Sequence, residues 1–311
     1  MTKQPRIGYV LSSGGVRGVF AHTGFLLALK EMNIPIVAGA GCSAGAVVGG
    51  IVASGTDVAD WAAALSEVKR KQFWTPDPLW RFLWNMTVRR GRGYLGLSDT
   101  SAAAEFCRQN MIARSFEDCR YPFYTIAVSL ARSKKVVFST GELIPRMMAS
   151  SAMPILYRPV EIDGDLFCDG ALVDFAPTDA VCCKQSLDVV IVHHVSQRSS
   201  TEIAGLAEAV SKPWAVIEVL NRLLFRQRPW YLTDDPISFQ RCPCGCGAVV
   251  VVLEPQLEPL TWPVTKEGPM ILGATRNQIH KLLEPFYQDI ITDPRGKLPF
   301  SAPGNGSGNV P

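Results

Sequence analysis

Three short segments carry residue types suited to acyl chemistry. The first is Gly41-Cys42-Ser43-Ala44-Gly45, a Gly-x-Ser-x-Gly pattern. Between a strand and a helix, such a turn lifts the serine hydroxyl clear of the backbone. Small neighbours let it close and let substrate approach. The following helix points its N-terminus at the site, which favours developing negative charge. The second segment is Ser13-Gly14-Gly15-Val16-Arg17-Gly18, whose backbone N–H groups suit an anion. Serine at 13 breaks the Gly-x-Gly-x-x-Gly dinucleotide pattern, and no Gly-Lys-Ser/Thr follows. An oxyanion hole is the other use of such a loop. The third segment is Cys168-Asp169-Gly170-Ala171, with its acid after the apolar Leu166-Phe167. A nucleophilic serine needs a base. A serine–histidine triad in hydrolase order would take it from His193, His194 or His280, which follow Ser43, rather than His22. His193 and His194 sit in an apolar run and His280 on the last helix, where packed or surface histidines are commoner.

These segments need elements to hold them. Ile7 to Leu11 reads as a buried strand, followed by the glycine loop and a helix from about Val19 to Met32. Ile36 to Ala40 is a second strand and Ala44 to Ser54 a second helix, so Ser43 falls on a strand–turn–helix unit. Asp57 to Lys71 is helical and rich in alanine. Residues 73 to 97 break the regularity, interleaving Phe73, Trp74, Trp80, Phe82, Trp84 and Tyr94 with Arg81, Arg89, Arg90 and Arg92. A membrane-facing lid and an excursion packed on the core are both open there. Ser98 is read as the cap of a helix over Ser101 to Met111. Strands follow at Tyr124–Leu130 and Lys135–Ser139, then a helix at Ile144–Ser151 and a strand at Leu187–Val195. Residues 201 to 226 are helical in pattern, split by Pro213. Trp214, Leu220, Leu223, Leu224 and Phe225 with Arg222, Arg226 and Arg228 form a second surface, with a core role preferred. Ala248–Leu253 is a strand and Pro269–Leu283 a final helix. Residues 301 to 311 read as a flexible tail. Strands alternating with helices predict an α/β layered domain.

Composition narrows the function. The chain has 311 residues, 47% hydrophobic and 19% charged, with formal net charge +3. Disorder is excluded, and the basic excess of a dedicated nucleic-acid binder is missing. Mean hydropathy is +0.12, and Met32 to Thr56 carries no charge over 25 residues. Six glycines in that run favour strand, turn and buried helix over a membrane span. The nine cysteines, an odd number in a chain that opens without a signal-peptide pattern, predict reduced thiols in the cytoplasm. Cys242-Pro243-Cys244-Gly245-Cys246 has one-residue gaps, where zinc pairs favour two to four. No second pair follows it, and Cys182-Cys183 could join only through the fold. Reduced cysteines in a hairpin are preferred, and no metal is assigned.

Taken in order, Ser13 to Gly18, Gly41 to Gly45 and Asp169-Gly170-Ala171 resemble the motifs of the patatin-like phospholipase family. So do Gly91 to Leu97, Ser150-Ser151-Ala152-Met153-Pro154 and Asp169 to Pro177, and the likeness spans roughly residues 6 to 290. The resemblance implies a three-layer α/β/α domain on a mainly parallel sheet, and a Ser–Asp dyad in place of a triad. Ser43 is then the nucleophile and Asp169 its base. Gly14, Gly15 and Val16 supply the oxyanion hole, Arg17 and Gly18 shape that loop, and Gly41 and Gly45 shape the elbow. The implied reaction is hydrolysis of a lipid acyl ester, from a phospholipid or lysophospholipid, through an acyl-enzyme without metal or cofactor. Acyl transfer to another alcohol, or a lipid-binding regulator without turnover, remain the alternatives. A cytoplasmic protein peripheral to the membrane follows. The sequence departs from the family at Ser13, Cys42, Ala171 and Asp174. Asp174 adds a second carboxylate, and if both lie close to Ser43, like-charge repulsion would raise the pKa of one of them.

Overall fold

The computed structural model describes residues 4–195, 229–258 and 264–300. The helical run expected over 201–226, the surface around Trp214 and the tail at 301–311 lie outside the described residues.

The chain opens with β1 (Ile7–Leu11), α1 (Gly15–Glu31), β2 (Ile36–Gly41) and α2 (Ala44–Ala53). The uncharged run is thereby divided into strand, turn and helix. No helix among the described residues is long and apolar enough to cross a membrane. Helix α1 starts four residues before the expected Val19, because Gly18 N–H already bonds the Gly14 carbonyl at 2.8 Å. Helix α3 (Val58–Ser66) is capped by Asp57, which accepts from Ala59 N–H at 2.8 Å, and ends short of Lys71. Residues 79 to 87, read as irregular, form α4 (Leu79–Thr87). Ser98 ends the short strand β3 (Gly96–Ser98) rather than capping α5 (Ser101–Gln109). Asp99 takes the first free N–H of that helix, from Ser101 at 3.0 Å.

The second half holds β4 (Phe123–Ser129), β5 (Lys134–Phe138), α6 (Leu143–Ser151), β6 (Ile155–Tyr157), β7 (Val160–Ile162) and β8 (Asp165–Asp169). Then come β9 (Val189–His193), β10 (Ile237–Arg241), β11 (Val249–Leu253) and α7 (Val264–Leu283), which holds Pro269 inside it. Nine strands form one sheet in the order β10-β11-β9-β1-β2-β4-β8-β7, with β5 also on β4. The central run β11-β9-β1-β2-β4 is parallel throughout. Antiparallel strands close both margins.

The central strands are buried on both faces, so they read as continuous apolar runs. Ile7, Tyr9 and Leu11 of β1 face one side, with Val189, Ile191, Val249 and Val251. They pack there on Phe20, Phe25 and Leu29 of α1, Val48 and Ile51 of α2, and Ile279 of α7. The alternate residues Val10, Val190, Val192, Val250 and Val252 face the other side. Among the described residues, Ala176, Ala180, Val181, Leu187 and Tyr231 cover that face. The fold is therefore mixed α/β on a mainly parallel central sheet.

Candidate active site

Strand register brings the serine and the acid together. Gly41 at the end of β2 lies opposite Thr125 of β4, and Asp169 at the end of β8 lies opposite Ala127. β2 runs parallel to β4 and β8 antiparallel to it, so their C-terminal ends meet head to head. Thr125 and Ala127 are two residues apart and so share a face of β4. Thr125 Oγ1 also donates to the Gly41 carbonyl at 3.0 Å, fixing the end of β2.

Ser43 follows on a turn that only small residues allow. A Cβ on Gly41 would stand 2.2 Å from the Gly45 carbonyl oxygen, and one on Gly45 would stand 2.3 Å from that of Leu11. Those approaches fold β2 directly into α2. Ser43 itself holds φ +55°, a left-handed conformation uncommon for a residue with a side chain. Strain of this kind persists where its surroundings over-determine it. Ser43 stands at the N-cap of α2 without capping it, because its hydroxyl goes elsewhere.

Ser43 Oγ donates to Asp169 Oδ2 at 2.7 Å. The other carboxylate oxygen, Oδ1, accepts from Ala171 N–H at 2.9 Å. Asp169 is fully buried, and burial lifts its pKa from 3.8 to about 7, against the lowering pull of the Ala171 and Ser43 bonds. The like-charge repulsion expected between Asp169 and Asp174 is not among the causes of either shift. Asp174 is itself paired with Lys135 Nζ at 3.1 Å, and that ammonium also meets Asp179 at 2.6 Å. Burial raises Asp174 too, while Lys135 opposes the rise.

The glycine loop packs beside the elbow. A Cβ on Gly18 would lie 3.0 Å from Ala44 Cβ, so the first turn of α1 meets the first turn of α2. Gly14 stands at the N-cap of α1 with no side-chain cap. The N–H groups of Gly15 and Val16 precede the first helical bond, so α1 itself gives them no carbonyl. Gly15 is exposed at φ +56°, and Arg17 is half-buried with its pKa lowered by burial.

The histidines engage other groups. His22 Nε2 bonds the Ser12 carbonyl at 2.7 Å, and its Nδ1 lies 2.8 Å from His193 Nδ1. Burial lowers His22 to about 3 and pushes His193 well below its ordinary range, so both are neutral at pH 7. His194 Nδ1 meets the Tyr231 hydroxyl at 3.1 Å, and His280 Nε2 meets Glu31 at 2.7 Å.

Two further residues contact the candidate nucleophile; their segment, Ser150-Ser151-Ala152-Met153-Pro154, resembles the family in sequence, but neither serine was given a role there. Ser43 N–H donates to Ser150 Oγ at 3.0 Å, and Ser151 Oγ donates to the Ser43 carbonyl at 3.1 Å. The next carbonyl, of Ala152, accepts from Asp169 N–H at 3.0 Å. The end of α6 thus ties the serine and the acid to one short segment. The sequence signal was that family-like segment, a pair of polar residues at an otherwise apolar helix end. Removing the Ser150 hydroxyl leaves the Ser43 amide buried without that acceptor. Ser150→Ala is expected to slow ester cleavage about tenfold, since such a loss costs ~1–3 kcal/mol. A kcat within twofold of wild type would remove Ser150 from the site.

Residues 9–181 match the patatin-like phospholipase family model, more than half of the chain. The chain belongs to the patatin-like phospholipase family. Among its relatives is lysophospholipase NTE1 of Cryptococcus neoformans, 30% identical over 221 residues. That match covers 70% of this chain and 13% of the fungal protein. An uncharacterised NTE family protein of Mycobacterium tuberculosis is 32% identical over 225 residues, 72% of this chain and 57% of that protein. The chain therefore spans less than two thirds of either relative's length. Among solved structures, VipD from Legionella pneumophila aligns at TM-score 0.47 and 13% identity, over 91% of this chain and 68% of that one. Human GIVD cytosolic phospholipase A2 aligns at TM-score 0.49 and 10% identity, over 92% of this chain and 59% of that one.

Proposed function

We propose that residues 6–290 form a serine lipid acyl hydrolase in which Ser43 is the nucleophile and Asp169 its base. The observation that carries this reading is the 2.7 Å bond from Ser43 Oγ to a fully buried carboxylate, on a turn with φ +55°. Family membership supports the lipid substrate class, phospholipid or lysophospholipid. Ser43 Oγ attacks the acyl carbonyl carbon and its proton passes to Asp169 Oδ2. N–H groups of the Gly14–Gly18 loop donate to the oxyanion. Collapse breaks the ester C–O bond, and the leaving alkoxide takes the proton from Asp169. Water then attacks the acyl-enzyme, with Asp169 again receiving and returning the proton. The released products are a free fatty acid and the residual alcohol.

Labelling by a fluorophosphonate probe tests the nucleophile, and hydrolysis of p-nitrophenyl esters and lysophospholipids tests the reaction. Wild-type protein that cleaves none of these overturns the reading. Transfer of the acyl group to an added alcohol in place of water would redefine it as a transferase.

The protein is proposed to meet a lipid surface through α4. Leu79, Trp80, Leu83 and Trp84 of that helix are 50–71% exposed, whereas its one buried residue is the polar Asn85. A helix folded for the core alone would show the reverse pattern. Arg89, Arg90 and Arg92 follow it and are exposed. Tryptophan suits the membrane interface and arginine suits anionic headgroups. Replacing Trp80 and Trp84 together by serine is expected to weaken co-sedimentation with anionic vesicles at least about tenfold. Equal sedimentation of variant and wild type would sink the membrane role.

A further inference from the structure

The two groups of cysteines that sequence spacing left apart come together in the fold. Cys182 and Cys183 follow the short turn Thr178–Ala180, on the segment that leads from Asp169 to β9. Cys242, Cys244 and Cys246 occupy the connection between the antiparallel strands β10 and β11. The partner pair lies about sixty residues upstream of them, the direction in which the sequence offered no zinc pattern. Cys183 Sγ lies 2.9 Å from Cys244 Sγ, and Cys182 Sγ lies 3.7 Å from it. Cys242 Sγ lies 3.0 Å from Cys244 Sγ and 3.6 Å from Cys182 Sγ. The sulfurs of Cys182, Cys183, Cys244 and Cys246 all lie within 4.8 Å of one another.

Neither hydrophobic packing nor disulfide bonding accounts for this gathering. Cys183, Cys244 and Cys246 are exposed, so burial of apolar surface does not hold them. All the separations exceed the ~2.05 Å of a disulfide bond, and the cysteines are free. Five thiols also leave one over under any pairing. A single ion fits the spacing better. Four thiolates at ~2.3 Å around a tetrahedral ion stand about 3.8 Å apart.

The chain around the sulfurs is shaped for the same purpose. Backbone N–H groups of Cys244, Cys246 and Ala248 face the sulfurs of Cys242, Cys244 and Cys246, each two residues back. Such donors orient thiolates and offset their charge. Gly245 has φ +75°, a left-handed step that lets the loop wind round its own sulfurs. The Arg295 guanidinium lies beside Gly247, close to where a Cβ would stand, and its other contact is Asp188 at 2.9 Å. A positive charge next to a four-thiolate site is favourable, because Zn²⁺ with four thiolates carries net charge −2.

We propose that Cys182, Cys183, Cys244 and Cys246 form a structural site for one zinc ion, with Cys242 as a neighbouring thiol. Binding forms four Zn–S bonds and releases the proton of each ligand that was a thiol. The ion joins the tip of the β10–β11 hairpin to the segment carrying Asp174 and Asp179, and so braces the sheet margin against the route to Asp169. It takes no part in the ester chemistry.

The test is metal analysis of the full chain, expressed with added zinc and purified under reductant without chelator. About one zinc per chain is expected, released by a mercurial thiol reagent. Cys183→Ser combined with Cys244→Ser should reduce the zinc to under about a tenth of that, whereas Cys107→Ser, outside the cluster, should keep it. Cys246→His, which replaces one zinc ligand by another, should also keep it. Chelation should lower the Tm of wild type and leave the double variant unmoved. Three results would overturn the site: wild type without stoichiometric metal, stoichiometric copper in place of zinc, or intact masses showing disulfides among these cysteines in the freshly isolated protein.

Discussion

Ser43→Ala is expected to abolish ester cleavage, lowering kcat by roughly 10⁴–10⁶-fold, and to remove all fluorophosphonate labelling. Losses of that size are typical where a nucleophile and its base act as a unit. Asp169→Asn is expected to cost at least about 10³-fold, because its amide can still accept from Ala171 N–H but cannot take the Ser43 proton. The loss from the double variant should be close to that of Ser43→Ala alone. His194→Ala should retain most activity, since that ring is engaged with Tyr231 and not with the serine. Full activity in Asp169→Asn with loss in His194→Ala would replace the dyad by a triad. Steady-state rates on a p-nitrophenyl ester and on a lysophospholipid distinguish these outcomes.

The second large effect is on pH dependence, where activity and stability should move in opposite directions. Asp169 must be ionised to accept a proton, and burial places its pKa at about 7. kcat/KM should therefore rise with pH through an acid limb near pH 7. Stability runs the other way. The folded state binds this proton more tightly than the unfolded chain does. The stabilisation is complete below the unfolded value near 3.8 and is lost as pH rises through about 7. At pH 8 that loss amounts to about 4 kcal/mol. Asp169→Asn carries no such penalty. It should melt about 5 °C or more above wild type at pH 8, and the gap should narrow by pH 5. Melting curves at the two pH values decide it. A variant less stable than wild type at pH 8 would show that the carboxylate is not held against its own charge. Asp174→Asn should leave the acid limb in place, since Lys135 already balances that residue.

The strand–elbow–helix unit was legible because its glycines are required by backbone approach and recur at fixed spacing. The apolar strands β1, β9 and β11 were legible for a related reason, since burial on both faces leaves little choice of residue. Helix α4 was not, because its large apolar side chains point outward and periodicity arguments assume they point in. The short strands β6 to β8 gave no signal, being three to five residues long and only partly buried. The segment of Ser150 was marked by its likeness to the family, but its role was not, because that role depends on a contact 107 residues away in the chain. The cysteines escaped similarly: their ligand-like geometry is a property of two loops sixty residues apart. Asp174 misled for the converse reason, since the cation that balances it comes from β5, a strand with no motif of its own.

The meeting of β2 and β8 on β4 makes that strand a ruler for the site. Neither Thr125 nor Ala127 has a part in the proposed ester chemistry, yet the interval between them sets how far Ser43 stands from Asp169. Substitutions along β4 that keep its pleat should leave the dyad intact, even where they change the core. One inserted or deleted residue between those two positions would shift the acid by ~3.4 Å and turn one of the pair to the opposite face. This chain is therefore expected to tolerate changes in the composition of β4 but almost no change in its length. Tolerance of this kind is invisible in a list of catalytic residues, and it would emerge from a scan of single-residue insertions scored by turnover.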